Sequence, residues 1–360
     1  MVALQPMTHS IHIIGSAKLG GAESFFMRLV IALNASGHKA LAVSRPQSLV
    51  ANAIGKQAPQ AHVTMKNQLD LVSRHRISQL IRREQPAIVQ TYMTRATILT
   101  HLKPDRGVCH IARLGGYYKV KRFAHAHAWI GNTRGICDYL IREGLPARRV
   151  FYIGNFVPPV QHPDPAQRQQ LRHALGIPDD AWILTAAGRF VHKKGFDTLL
   201  AAWENLAGQS AGRPLHLILI GDGPERQTLQ QQAAKLKHAD RIHWPGWQTD
   251  PGPWLSLADL HICPSRHEPL GNVILEGWAW GKPVISTNTA GGQELIQSGK
   301  NGVLIPVEDA SAMATAIRDC LENENLRTQL ATAGQHTAAK QFSQEKILGD
   351  YLALYQQLSS

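Results

Sequence analysis

Long apolar runs are missing from this 360-residue chain. The longest near the start is "IHIIGS", and Glu23 and Arg28 soon interrupt the next apolar stretch. That is too short for a signal-peptide core, and no stretch approaches the roughly eighteen apolar residues of a membrane span. The expectation is a soluble, cytoplasmic protein. Cysteine is also scarce. Cys109, Cys137, Cys263 and Cys320 are scattered without metal-ligand or redox-pair spacing, which points to reduced, structural thiols. With 44% hydrophobic and 18% charged residues, no biased tract and no fixed-period repeat, the chain is neither disordered nor a solenoid. Acidic residues are few in one half only. Residues 1–170 hold 22 Lys+Arg against 7 Asp+Glu, whereas residues 171–360 hold 16 against 19. A basic first half suits an anionic membrane, a phosphorylated or lipid-linked acceptor or nucleic acid, or is merely a solvated surface.

What is present is a rhythm. Short apolar runs alternate with amphipathic stretches: "SIHIIG", "GAESFFMRLVIALNASG" and "KALAVS", then "PAIVQTY", and "HAWIGN" before "TRGICDYLIREG". Strand, helix, strand in that order predicts parallel sheets covered on both faces. The rhythm stops at residues 154–167, "GNFVPPVQHPDPAQ", where four prolines in fourteen residues can continue neither a helix nor an inner strand. It restarts with "AWILTAAG", "FDTLLAAWENLAG" and "PLHLILIGDGP". The predicted architecture is α/β, two Rossmann-like doubly wound parallel-sheet domains facing a central cleft, in a chain long enough for two cores. The expected domains are 1–160 and 161–342. A closing helix at 343–360 has Ile347, Tyr351 and Tyr355 along one face.

Ligands of such sheets bind beyond the carboxyl ends of the strands. The first junction of that kind, "GSAKLGGAE" at 15–23, places Gly20 and Gly21 ahead of a helix, where amides and the helix dipole can meet a phosphate or a sugar hydroxyl. It lacks the G-x-G-x-x-G spacing of a dinucleotide site and can equally be a tight turn. In the second, "GRFVHKKG" at 188–195, Arg189 offers a planar fork and Lys194 a point charge; together they suit a diphosphate, if they are not simply solvated. The third, "EPLGNVILE" at 268–276, carries two glutamates around a predicted helix start at Gly271 or Asn272. Each carboxylate can accept from a diol, or Glu268 can cap the helix while Glu276 faces water. "TAGGQELI" at 289–296 and "LHLILIGDGPE" are further junctions, and "HWPGWQTD" is another, whose Trp247 reads as a core residue rather than a stacking platform.

In their order, "GRFVHKKGFDTLL", "LILIGDGPE", "ADLHICPSRHEPLGNVILEGWAWGKPVISTNTAGGQELI" and "NGVLIPVEDASAMATAI" resemble the carboxyl-terminal domain of family 4 retaining glycosyltransferases with the GT-B fold. "GGAE" resembles their glycine loop, and the closing helix resembles theirs, which returns to the amino-terminal domain. The likeness covers most of residues 10–358 and is sharpest over 182–310. It implies an amino-terminal acceptor-binding domain and a carboxyl-terminal domain that binds a nucleotide-diphosphate sugar. By that resemblance Arg189 and Lys194 hold the donor diphosphate, Glu268 contacts the sugar near the reacting carbon, and Glu276 takes the ribose. Amides of Leu270, Gly271, Asn272 and Val273 grip sugar and phosphate oxygens, and those of Gly20 and Gly21 the phosphate from the opposite wall. It further implies retention of configuration, no metal and no cofactor, the UDP-, GDP- or ADP-linked sugar being a co-substrate. No Asp-x-Asp motif of the metal-binding type occurs.

The sequence departs from the family in two places. Tyr92 stands where many relatives carry a histidine, so no histidine is assigned to catalysis, and His125 and His127 read as structural. "GWAWG" replaces smaller residues after Glu276, which should alter packing beneath the loop. Arg95 reads as a cleft residue that meets an acidic acceptor. The expected partners are the nucleotide sugar, a glycan or glycolipid acceptor such as a lipopolysaccharide core, and an anionic membrane touched by the basic half through "SRHRISQLIRR" and "YYKVKRF". Nucleic acid is not expected, because the basic residues are not interleaved with aromatics. The rivals are an epimerase of the same fold and a non-catalytic nucleotide-sugar-binding protein.

Overall fold

The computed structural model describes residues 8–102, 107–206 and 208–359. Packing divides the chain into two compact units, one running to Pro158 and resuming at Gln344, the other spanning Pro159–Ser343.

The first unit holds a seven-stranded parallel sheet. Its strands are β1 (His9–Ile14), β2 (Lys39–Ser44), β3 (Gln60–His62), β4 (Ile88–Tyr92), β5 (Cys109–Leu114), β6 (Ala128–Gly131) and β7 (Val150–Tyr152), in the order β3-β2-β1-β4-β5-β6-β7. Every residue of β4 and β5 is buried, as expected for inner strands with helices on both faces. The helix Gln344–Ser359 closes this unit. Its Ile347, Leu348, Tyr351 and Tyr355 join a core containing Phe25, Phe26, Leu29 and Tyr92. Buried hydroxyls are satisfied inside that core. Tyr355 Oη donates to Gln90 Oε1 at 2.8 Å, Gln90 Nε2 donates to Tyr92 Oη at 2.6 Å, and Tyr92 Oη lies 3.0 Å from His12 Nδ1. Burial holds the His12 pKa down at about 3, so this network is uncharged.

The second unit repeats the plan with β8 (Trp182–Ala187), β9 (Gln209–Ser210), β10 (Arg213–Ile220), β11 (Ile242–Gly246), β12 (Leu260–Cys263), β13 (Val284–Thr287) and β14 (Val303–Ile305). Six strands run parallel in the order β11-β10-β8-β12-β13-β14, and β9 pairs antiparallel with the start of β10. The proline-rich stretch is shorter than expected as a linker, because a helix already begins at Pro165. A proline at the first helical position sacrifices no hydrogen bond, and Asp164 accepts the amide of Ala166 at 2.8 Å to cap it. In "GWAWG", Trp278 is fully buried and donates from its indole to the carbonyl of Asn301 at 2.8 Å. A Cβ on Gly334 would lie 2.3 Å from the Trp278 ring, so the larger side chain is accommodated by a glycine in the facing helix Glu324–Gln341. No helix among the described residues is long and apolar enough to cross a membrane.

Candidate functional site

The carboxyl ends of the second sheet's strands carry most of the residues singled out in the sequence. After β8, Gly188 turns with φ +152°, Arg189 is exposed, and a single 3-10 turn, His192–Lys194, leads to Gly195. Gly195 is needed on two counts. Its φ is +65°, and an added Cβ would sit 2.1 Å from the carbonyl oxygen of Pro264. That close approach presses the loop after β8 against the loop after β12. The amides of Arg266 and His267 complete the join by donating to the carbonyl of Lys193 at 2.9 and 3.1 Å.

Across this seam the Lys194 ammonium meets the Glu268 carboxylate in a direct ion pair, with 18% and 12% of the two side chains exposed. Burial works against the charge on Lys194. The attraction of Glu268, assisted by Glu276, outweighs it and raises the lysine pKa above its ordinary value. The Cys263 thiol is pushed up by its own burial and stays neutral. Glu276 lies on the helix Asn272–Ala279, in its second turn, and reaches the field of Lys194. Gly271 precedes that helix at φ +89° and brings no side chain to cap it, while Leu270 is buried beneath. Lys194, Glu268, Glu276 and the segment Leu270–Val273 therefore form one polar cluster at a helix N-terminus. Such a cluster can hold an anion by ammonium and helix dipole, and polyol hydroxyls by carboxylate.

Other residues behave differently from expectation. The glycines of "TAGGQELI" face protein rather than an open mouth. The Gly291 amide donates to the Glu268 carbonyl at 2.7 Å, and that of Gly292 to Thr289 Oγ1 at 3.3 Å. A Cβ on Gly291 would come within 2.5 Å of the Leu270 backbone, so this pair shapes the glutamate loop from behind. Trp247 is 48% exposed and not a core residue, because β11 ends at Gly246 and its ring leaves the sheet with the following loop. Arg95 is occupied by backbone. Its guanidinium donates to the carbonyls of Gly15 and Met65, both at 3.1 Å, which ties two loops together. His125 Nε2 lies 2.9 and 3.1 Å from the carbonyls of Thr97 and Thr100, and His127 Nδ1 accepts the amide of His110 at 3.1 Å. Both histidines brace the first unit. Gly20 and Gly21 stand after β1 at the head of the fifteen-residue helix Gly21–Ala35, again without a capping side chain.

Sequence reading missed Arg266. It grips both oxygens of Asp197 at 2.6 and 2.7 Å, Glu308 at 2.6 Å and the carbonyl of His192 at 2.9 Å. One side chain thereby binds the loop after β12 to the Lys194 turn and to the helix beyond it. The hydrogen bonds that Arg266 donates to Asp197 dominate in raising the Arg266 pKa, and burial of Asp197 is outweighed by that same arginine. The partners lie 42 to 74 positions apart, so no local pattern reveals the clamp.

Residues 167–337 match the family model described as glycosyl transferases group 1. The lipopolysaccharide core biosynthesis glycosyltransferase LpsE of Rhizobium meliloti (strain 1021) is 36% identical over 343 residues, covering 94% of this chain and 96% of that protein. LpsD of the same organism is 30% identical over 93% of this chain and 95% of its own length. Among solved structures, Anabaena Alr3699/HepE in complex with UDP and glucose superposes with a TM-score of 0.83 at 19% identity, covering 97% of this chain and all of that one. WaaG, a glycosyltransferase involved in lipopolysaccharide biosynthesis, gives 0.68 at 18% identity over 97% and 98% of the two chains. At such identities the structures speak for the fold alone, the pair of Rossmann-like domains known as GT-B. Near-complete coverage by LpsE and LpsD carries the rest: the chain belongs to the group 1 glycosyltransferases.

Proposed function

We propose that the chain transfers a sugar from a nucleoside-diphosphate sugar to a hydroxyl of a lipopolysaccharide core or related glycolipid acceptor, with retention at the anomeric carbon and without a metal. The observation that carries this reading is the Lys194–Glu268 pair beside the Asn272 helix N-terminus. Lys194 and the exposed Arg189 offer two cations to the leaving diphosphate, whose negative charge grows as the glycosidic bond breaks. Glu268, freed from Lys194 as that lysine turns to the diphosphate, takes sugar hydroxyls near the reacting carbon. Glu276 takes the ribose diol, and the amides from Leu270 to Val273 take sugar and phosphate oxygens. Gly20 and Gly21 offer amides to an anionic group. The acceptor hydroxyl attacks the face from which the diphosphate departs, and a phosphate oxygen removes its proton, so no separate base is required. The names of LpsE and LpsD favour a lipopolysaccharide core acceptor, and UDP bound to HepE favours a nucleotide donor.

On the same reading the protein works at the cytoplasmic face of an anionic membrane. Leu69, Leu71 and Val72 are 86%, 73% and 62% exposed, and they adjoin Lys66, Arg74 and Arg76 around the start of the helix Leu71–Glu84. Apolar side chains for the acyl boundary and cations for lipid phosphates suit that role.

Nucleoside-diphosphate release from UDP-glucose, UDP-galactose, UDP-N-acetylglucosamine, GDP-mannose and an ADP-heptose, without added metal, tests the reaction. One donor should be consumed and its product should keep the donor's anomeric configuration. Stabilisation of the fold by a donor without turnover, even with lipopolysaccharide core present, would favour a binding protein. Epimerised nucleotide sugar as the product would favour the epimerase.

A further inference from the structure

The amino-terminal edge of the second sheet, opposite the polar cluster, contains a cavity of about 580 Å³. Arg168 and Arg172 reach it from the helix Pro165–Ala174, and Lys282 from the turn ahead of β13. One wall is apolar, formed by Trp280 with the His162 ring set edge-on at 5.4 Å between centroids.

Three cations line this cavity, Arg168, Arg172 and Lys282, against one carboxylate, Asp179. Lys282 donates from Nζ to the carbonyl of Ser256 at 3.0 Å and forms no ion pair among the described residues. Arg168, on the exposed side of its helix, has no carboxylate within ion-pair distance among the described residues either. Arg172 is committed elsewhere, to the carbonyls of Pro178 and Ala181, and stands 3.9 Å from Asp179. Asp259, the buried acid that attracts Lys282, spends one oxygen on the Ile183 amide at 2.8 Å. Burial, reinforced by Arg168 and only partly offset by Asp259, lowers the Lys282 pKa to about 8. A half-buried ammonium such as Lys282 with no carboxylate in contact is uncommon, because desolvation is normally repaid by a partner.

We infer that this cavity is a second ligand site, separate from the donor site, and that it binds a small phosphate-bearing anion between Arg168 and Lys282 with the ligand's ring against Trp280. The guanidinium fork supplies paired N–H donors and the ammonium a point charge, the combination that suits a phosphate dianion. Trp280 and the prolines beside His162 suit the face of a sugar ring, and the volume admits a hexose phosphate.

Calorimetric titration of the full chain at pH 8 with inorganic phosphate, and separately with glucose 6-phosphate, tests the site. Wild type and Lys194→Ala should bind alike, and the sugar phosphate more tightly than phosphate alone. Arg168→Gln and Lys282→Gln should each weaken binding by about ten-fold or more. Arg168 is exposed, so its variant tests the site without endangering the fold. A phosphate ester has lost its second proton by pH 8. Proton uptake with glucose 6-phosphate, measured in buffers of different ionisation enthalpy, should therefore report recharging of Lys282 and should vanish in Lys282→Gln. Absence of binding, or binding that survives in Arg168→Gln but disappears in Lys194→Ala, would overturn the inference.

Discussion

Two lysines of the second domain stand at opposite ends of the same sheet and answer burial in opposite ways. Lys194, at the carboxyl edge, keeps its proton more firmly than a free lysine, and Lys282, at the amino edge, holds it loosely with a pKa of about 8. Desolvation opposes the charge on both. The difference is the neighbour, since Lys194 has Glu268 in direct contact and Lys282 has only the carbonyl of Ser256. A carboxylate partner turns a buried cation into a fixed charge, which the proposed function turns toward a diphosphate, and its absence leaves a cation that an outside anion can complete.

Glu268→Gln should make Lys194 resemble Lys282. With the carboxylate gone, the buried ammonium is uncompensated, and chemical denaturation should show a loss of about 3 kcal/mol. Lys282→Met works in the other direction. The folded pKa of about 8 lies below the unfolded lysine value of about 10.5, so the folded state binds fewer protons between those limits and wild-type stability rises with pH there. At pH 7 the variant should therefore be the more stable, by about 3 kcal/mol, and its advantage should shrink steadily above pH 8. Arg266→Ala removes the clamp that holds the Lys194 turn against the Glu268 loop. The exposure of Asp197 and Glu308 limits the stability loss to about 1 kcal/mol, but KM for the donor should rise, and Arg266→Lys should not restore it because an ammonium cannot reproduce the two-pronged grip. The smallest effect belongs to Arg168→Glu, which exchanges the repelling neighbour of Lys282 for an attracting one. NMR titration of the Lys282 side chain should place its pKa above that of wild type, with stability changed by less than about 1 kcal/mol.

Much of the fold was legible because inner parallel strands must be apolar throughout. "LHLILI" and "AWILTAA" admit few readings, and the glycines just after them mark where the chain turns at the sheet edge. The polar cluster was legible for a related reason: Lys194, Glu268 and Gly271 each come after a strand end, and strand ends are local features. What stayed hidden depends on partners remote in the chain. Nothing near Trp247 says that its ring leaves the sheet, and nothing near Gly291 says that its amide is taken by Glu268. The Arg266 clamp and the Lys282 cavity join segments that only the folded sheet brings together, and a lone arginine or lysine in sequence reads as surface.

The most direct measurement is nucleoside-diphosphate release from the preferred donor by wild type, Lys194→Ala, Glu268→Ala and Lys282→Met, side by side. Both variants at the carboxyl edge should lose about 100-fold or more in kcat, and Lys282→Met should turn over near the wild-type rate. Full activity in Lys194→Ala would contradict the proposed function, because the charge developing on the diphosphate would then be met somewhere other than the Lys194–Glu268 site.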